Sequence, residues 1–137
     1  MKKITLTALS LFALLSACKK DDTTTNTSLT TQQKIQTKWN FVANYDINYL
    51  GQTTNVDFID TINGAAGDYV DFKSNNKAYI SVGGIYDTID YAILSDTKLL
   101  FDYDTFTINT LTLTNFQFTY ADRISADYYD NVIKLSR

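Results

Sequence analysis

The sequence predicts an all-β fold: an antiparallel barrel of about eight strands behind one short helix, with a β-sandwich as the alternative. The 137-residue chain has room for one small domain, and it is 45% hydrophobic with 10 tyrosines. It has no glutamate and 1 methionine, so the straight-chain residues that favour helices are scarce. Apolar residues recur at every second position in short runs between turn signals, which is the pattern of antiparallel strands.

The composition excludes several kinds of chemistry. Without histidine there is no Ser-His-Asp or Cys-His catalytic system, and zinc loses its commonest ligand. The single cysteine, Cys18, cannot form an internal disulfide. All 15 acidic residues are aspartate and the net charge is −3. Nucleic acid is therefore disfavoured as a partner, because phosphate binding needs a basic face.

Residues 1–17 have the organisation of a signal peptide. Lys2 and Lys3 precede an apolar run that is too short to predict a membrane span. The run ends in Leu15-Ser16-Ala17-Cys18, which resembles the lipobox of bacterial lipoproteins. The resemblance implies cleavage before Cys18, a diacylglyceryl thioether on its sulfur and usually N-acylation, and two or three acyl chains anchor a protein stably. An ordinary secretory signal with an accidental cysteine is the alternative.

Residues 18–30 are predicted to be a lipid-anchored flexible tether, because threonine, asparagine and serine dominate from Thr23 onward. The run Lys19-Lys20-Asp21-Asp22 is similar to the signal that sends Bacteroidetes lipoproteins to the cell surface. A solvated charge run beside the anchor is the alternative. The predicted location is the outer membrane, on a lipid anchor, with exposure at the cell surface left open.

The domain is predicted to span residues 31–137 and to begin with a short helix. Ser28 or Thr30 can cap this helix, and Ile35 lies on its apolar side. A long half-buried strand then runs from Trp39 to Tyr49, with apolar residues at alternate positions. A turn follows it, a second strand runs from Asn55 to Ile62, and residues 63–67 form a loop.

The remaining strands are short and are separated by turn signals such as Ser74-Asn75-Asn76-Lys77 and Gly83-Gly84. The apolar register shifts between Leu113 and Phe116, which predicts a bulge or a turn at Asn115. The total is eight or nine strands, and the later ones lie at Val70–Phe72, Ala78–Val82, Ile85–Ile93, Lys98–Phe101, Thr105–Leu113, Phe116–Tyr120 and Tyr129–Leu135.

Short motifs between residues 33 and 135 resemble those of the lipocalin-like domains of small Bacteroidetes lipoproteins. They are Lys38-Trp39 at the end of the helix, the hairpin Asp71–Lys77, the strand Tyr86–Tyr91 and the run Leu111–Thr114. Thr37 stands where the lipocalin signature has glycine, and Asn76 where the hairpin usually has glycine. A barrel of this size is filled by its own side chains or holds one small ligand.

The predicted register turns several aromatic residues toward the barrel lumen, and these are the candidate ligand-binding residues: Tyr45, Tyr49, Tyr91, Phe101 and Tyr103. Core filling is the alternative role for them. Trp39 is predicted to be structural and to close the barrel end against the helix. Arg123 is a candidate to stack on Trp39, as an arginine does in lipocalins, with a plain loop position as the alternative.

The sequence supplies no nucleophile with a base, no phosphate loop and no metal cluster, which predicts a non-enzymatic binding module without a cofactor. The expected partners are the membrane, through acyl chains on Cys18, and either a small hydrophobic ligand or an envelope protein. The competing class is a glycoside hydrolase built from paired aspartates, which could equally hold calcium or form surface charge. The pairs are Asp57/Asp60, Asp68/Asp71, Asp87/Asp90, Asp102/Asp104 and Asp127/Asp130, of which Asp102/Asp104 is the candidate ion site.

Overall fold

The structure, a computed structural model, describes residues 28–137. Within them, one short helix precedes nine antiparallel strands. The predicted signal peptide, most of the tether and Cys18 lie outside the described residues. The elements are α1 (Thr31–Ile35), β1 (Lys38–Tyr49), β2 (Val56–Asn63), β3 (Tyr69–Phe72), β4 (Lys77–Val82), β5 (Ile85–Ser95), β6 (Lys98–Phe101), β7 (Asp104–Leu111), β8 (Asn115–Asp122) and β9 (Tyr129–Ser136).

Eight of the strands close into an antiparallel barrel, which confirms the predicted fold class. The ring runs β1-β3-β4-β5-β6-β7-β8-β9 and closes where β9 pairs with β1. The other edge of β1 is shared, because its first residues pair with β3 and its later residues pair with β2. Among the described strands, β2 pairs with β1 alone and stands outside the ring.

The barrel has two distinct ends, because consecutive antiparallel strands place their turns alternately at each end. The near end is the one that carries α1, together with the turns at residues 73–76, 96–97 and 112–114. The far end carries the turns at residues 50–55, 83–84, 102–103 and 123–128. The turn at 112–114 accounts for the register shift that the sequence places at Asn115, where β8 begins.

Helix α1 covers the near end. It begins with a capping box, in which the Thr30 hydroxyl accepts from the N–H of Gln33 and the Gln33 side chain accepts from the N–H of Thr30. Trp39 is fully buried, and its indole N–H donates to the carbonyl of Ile35 at 3.1 Å. The guanidinium of Arg137 lies 4.2 Å from the Trp39 ring centroid. Trp39 thus packs between the helix and the barrel. The candidate Arg123 does not stack on it, and Arg137 does.

A β-bulge in β1 decides which face its second half displays. The register with β9 shifts between Phe41 and Ala43, so β1 contains one extra residue there. Beyond the bulge Tyr45 pairs with Val132. The next residue of β9, Ile133, packs against the core, so Val132 and Tyr45 lie on the other face. Because side chains alternate along a strand, Tyr45 and Tyr49 face outward. Their predicted inward orientation is wrong.

Candidate functional site

Aromatic side chains from facing strands fill the barrel lumen. Phe72, Phe116 and Phe118 are fully buried, and the ring centroids of Phe116 and Phe118 lie 4.7 Å apart. The ring of Phe101 packs edge-on against that of Phe118 at 5.2 Å. Contacts this close place protein atoms where a ligand in the lumen would lie. Every strand of the ring contributes to this core and β2 contributes nothing to it.

Two of the predicted ligand-binding residues, Tyr91 and Phe101, do face the lumen, but they belong to the core. Tyr91 is 2% exposed, and its ring packs edge-on against Phe72 at 5.0 Å. Its hydroxyl donates to the carbonyl oxygen of Lys73 at 2.7 Å. Burial raises the pKa of this hydroxyl. The hydrogen bond to the Lys73 carbonyl satisfies the Tyr91 hydroxyl, and packing against Phe72 buries its ring, so Tyr91 needs no ligand as a partner.

The other three candidates lie outside the lumen. Tyr45 is on the outer face of β1, where the Lys134 ammonium is 4.8 Å from its ring centroid. Tyr49 donates its hydroxyl to Asp130 at 2.7 Å, and this hydrogen bond to a carboxylate raises the tyrosine pKa. Tyr103 lies in the far-end turn between β6 and β7 and is 91% exposed. The five candidates therefore do not line one pocket.

A polar cluster on the inner faces of β1 and β9 follows the aromatic core toward the far end. The Asn131 amide donates to Asn44 Oδ1 at 2.9 Å and to Asp46 Oδ1 at 2.5 Å. The Tyr129 hydroxyl donates to the same oxygen of Asp46. Burial, followed by the hydrogen bond to Asp46, raises the pKa of Tyr129 to about 12. The bulge in β1 brings Asn44 and Asp46 inward, so the sequence pattern did not reveal this cluster.

We expect the folded chain to show a phenol ionisation at about pH 12 that the Tyr129→Phe variant lacks. Because the pKa is raised on folding, the stability that Tyr129 contributes is complete below pH ~10 and is lost as the pH rises toward 12. Ultraviolet absorbance of the phenolate during a pH titration measures the step. Asp46→Asn should move it to lower pH, because the accepting carboxylate is gone. A step near pH 12 that survives Tyr129→Phe would contradict the assignment.

Several of the paired aspartates make hydrogen bonds or ion pairs within the described domain. Asp68 is 8% exposed and accepts from the backbone N–H groups of Ala65 and Gly83, which ties the loop after β2 to the turn between β4 and β5. Three others form ion pairs: Asp71 with Lys73, Asp90 with Lys77 and Asp130 with Arg123. Within residues 28–137, no group of three histidine, cysteine, aspartate or glutamate residues is arranged to hold a metal ion.

An open cleft of about 560 Å³ lies at the near end, between the start of the described chain and β7. Its lining is mostly polar and includes Thr31 and Asp96, which are joined by a hydrogen bond of 2.6 Å from the Thr31 hydroxyl. Such a lining does not suit the small hydrophobic ligand that the sequence suggested.

Strand β2 is exposed on both faces and along one edge. Every residue of the strand is exposed, including Phe58 at 55%, Ile59 at 52% and Ile62 at 50%. In the register with β1, Phe58 and Ile62 share the face that β1 turns inward, whereas Ile59 lies on the opposite face. Apolar side chains therefore flank the free edge of the sheet from both sides.

The hydrogen bonding of β2 shows which of its backbone groups are free. Gly64 N–H donates to the carbonyl of Val42 at 2.8 Å, which fixes the alternation of bonded and free positions along this antiparallel ladder. The alternation directs the backbone groups of Phe58, Asp60 and Ile62 toward β1. It directs those of Ile59, Thr61 and Asn63 toward solvent.

Two exposed strand edges carry the same arrangement of aspartate and threonine. On β2, Asp60 Oδ1 accepts from the N–H of Thr61 at 2.8 Å. On β5, residues 85–90 pair with β4 but not with β6, and Asp87 Oδ1 accepts from the N–H of Thr88 at 2.7 Å. Each carboxylate occupies an edge N–H that a further strand would bind. Charged side chains at an edge discourage unselective strand pairing.

Charge is divided between the two ends of the described domain. The near end and the strand segments beside it carry most of the basic side chains: Lys34, Lys38, Lys73, Lys77, Lys98, Lys134 and Arg137. The far end and the strands that lead to it carry Arg123 and most of the aspartates: Asp46, Asp57, Asp60, Asp68, Asp87, Asp102, Asp104, Asp122, Asp127 and Asp130. The β1–β2 hairpin thus extends into a strongly acidic region.

No protein-family model, curated protein or solved structure matches this chain. Within residues 28–137, no helix is long and apolar enough to span a membrane.

Proposed function

We propose that this chain is a lipid-anchored protein of the outer membrane, and that its barrel is a non-enzymatic module that binds an envelope protein through the exposed edge of β2. One observation carries the proposal: β2 stands outside a filled barrel, with free backbone groups along its edge. Monomeric proteins usually shorten, cover or charge such an edge, because it is a template for pairing with another chain. Strand β2 is charged at Asp57 and Asp60, but it is 8 residues long and uncovered.

The packed lumen favours a protein partner over a small hydrophobic ligand. Of the aromatic residues predicted to line a pocket, Tyr91 and Phe101 are part of the core. Tyr45, Tyr49 and Tyr103 lie on the outer surface. A filled barrel is a rigid support for surface recognition, and the exposed apolar groups of β2 offer the contact area that such recognition uses.

The position of the proposed anchor suits this role. Residue 28 lies beside α1 at the near end, and the turn between β1 and β2 lies at the far end. A flexible tether attached through Cys18 would join the near end to the membrane. The β1–β2 hairpin lies at the opposite end of the barrel from this attachment, where a partner can reach it.

We expect Cys18→Ser to abolish labelling by a palmitate analogue and to release the chain from membranes or leave it unprocessed. The proposed thioether needs the Cys18 sulfur, and a serine hydroxyl does not replace it. Labelling in growing cells followed by membrane fractionation measures both effects. Ser16→Thr is a matched control that keeps the cysteine. Unchanged labelling of Cys18→Ser would overturn the proposed anchor.

Site-specific photo-crosslinking tests the proposed contact. A photoreactive residue at Ile59, on the edge of β2, should give an adduct of one defined mass with an envelope protein in intact cells. The same residue at Thr105, which is exposed on β7, is the control. Absence of an adduct at Ile59, or the same adduct at Thr105, would overturn the proposed function. So would a hydrolytic product that the wild-type chain releases and an aspartate variant does not.

A further inference from the structure

The solvent edge of β2 has the backbone groups and the apolar contacts that strand addition requires. The N–H and carbonyl groups of Ile59 point away from β1, as does the carbonyl of Thr61. Phe58 and Ile62 lie on one face beside this edge, and Ile59 lies on the other. An extended chain bound along such an edge gains main-chain hydrogen bonds, and alternate side chains contact the two faces.

Asp60 makes this edge selective. Its carboxylate holds the N–H of Thr61 at 2.8 Å, so an incoming strand must displace the carboxylate before it can bond that N–H. A lysine or arginine opposite Asp60 compensates for the lost hydrogen bond, because opposite charges across a strand pair attract. A neutral strand gives no compensation, and an acidic one adds repulsion.

The charges that surround the edge also favour a cationic partner. Asp57 is on the same strand, and Asp46 pairs directly with Asp60 across the β1–β2 ladder. The one arginine near the far end, Arg123, is engaged in an ion pair with Asp130 at 2.6 Å. The electrostatic potential around the edge therefore favours a cationic partner.

We propose that β2 binds an extended, cationic segment of its partner by strand addition, with a lysine or arginine of that segment opposite Asp60. This rests on the proposed function, since it names the chemistry of the partner at the same edge. A second copy of this chain is the less favourable occupant, because β2 carries two aspartates and no basic residue. Pairing two copies of β2 would gather their carboxylates in an already acidic region.

Backbone amide exchange measured by NMR on the full-length chain in detergent tests the proposal. The probe is a synthetic peptide with the 8-residue length of β2 that alternates lysine with valine. We expect it to slow exchange at the N–H of Ile59 by about tenfold or more when it saturates the edge, because a new hydrogen bond forms there. A peptide with aspartate in place of lysine should leave the exchange unchanged.

Substitution of Ile59 separates strand addition from side-chain contact. Ile59→Pro removes an N–H that faces solvent and leaves the bonds to β1 in place, and proline is tolerated at such edge positions. It should abolish binding of the lysine peptide, whereas Ile59→Val, which keeps the N–H, should retain it. Protection of the Phe58 and Ile62 amides checks that β2 stays paired in both variants. Full binding by a folded Ile59→Pro chain would overturn the proposal.

Substitution of Asp60 tests the charge selectivity. Asp60→Asn should weaken binding of the lysine peptide by about threefold, because a cross-strand ion pair is lost. It should also reduce the difference in binding between the lysine and aspartate peptides, while Asp57 and Asp46 still disfavour the acidic one. Asp87→Asn, which removes the equivalent carboxylate on β5, is the matched control and should change neither result. Equal binding of both peptides to the wild-type chain would overturn the proposal.

Failure of the strand-addition proposal can be distinguished from failure of the proposed function. If the lysine peptide protects Ile59 but the photo-crosslinker there gives no adduct in cells, strand addition stands and the envelope partner does not. If an adduct forms but neither peptide protects Ile59, the surface is correct and the pairing mode is wrong. Protection of Ile59 that rises with protein concentration in the absence of peptide, together with a dimer in analytical ultracentrifugation, would identify a second copy as the occupant and overturn the cationic partner.

Discussion

Phe118→Ala is expected to lower the free energy of unfolding by about 3–5 kcal/mol. Phe118 is fully buried and lies at the centre of the aromatic core, with ring centroids of Phe101, Phe106 and Phe116 at 5.2, 5.3 and 4.7 Å. Truncation removes apolar surface from the core and leaves a cavity that the rigid barrel cannot close. Denaturant unfolding of a fragment of residues 28–137 measures the loss in the free energy of unfolding. Tyr103→Ala, in the exposed far-end turn, is the control and should change that free energy by less than about 0.5 kcal/mol.

The same variant tests whether the lumen is filled. Benzene should raise the unfolding midpoint of Phe118→Ala, because an apolar cavity of aromatic size stays dry and binds such a molecule. It should leave the wild-type midpoint unchanged, since the rings already occupy the space. A wild-type domain that benzene stabilises equally would show a pre-formed cavity. The small hydrophobic ligand would then regain support.

The sequence was sufficient to predict the fold class, the short helix and the positions of the strands along the chain. Period-two patterning and turn residues are local signals, and antiparallel strands joined by short turns have few alternative arrangements. The orientation of Tyr45 and Tyr49 was not predictable in this way. Phe41-Val42-Ala43 is apolar throughout, so the pattern does not show that a residue has been inserted relative to β9. Every side chain of β1 beyond the bulge therefore lies on the face opposite to the one that the alternating pattern predicts.

The sequence contains a weaker indication that β2 lies outside the ring. Phe58 and Ile59 are adjacent apolar residues, so they lie on opposite faces of the strand. A strand with only one buried face rarely has apolar residues on both faces. The break in alternation could have indicated a strand with no buried face. Which strand occupies each edge of β1 depends on contacts between distant residues, and no local pattern contains that information.

The chain returns from β2 to the ring through residues 64–68, which follow the same edge of β1 past its bulge. Gly64 lies at this close approach, and its N–H donates to the carbonyl of Val42 at 2.8 Å. The approach is so close that a Cβ atom on Gly64 would lie 2.0 Å from the carbonyl oxygen of Phe41 and 2.8 Å from its carbonyl carbon. Both of these are backbone atoms, so no side-chain rotation can relieve the overlap. Only glycine fits this close approach without a shift of β1 or β2.

Gly64→Ala is therefore expected to lower the free energy of unfolding by about 3 kcal/mol, at the upper end of the cost of overpacking. Because β2 must move away from β1 at Gly64, amide exchange at Asp60 and Ile62, whose N–H groups bond to β1, should accelerate more than exchange in β7 and β8. Gly51→Ala is the control: Gly51 has a φ of 58° but nothing within 4 Å of an added Cβ, so only backbone strain of about 1–2 kcal/mol applies. A Gly64→Ala cost no greater than that of Gly51→Ala would show that β2 separates from β1 easily. The proposed binding edge would then lack the rigid support that strand addition needs, because an incoming segment would have to pay the cost of ordering β2 as well as itself.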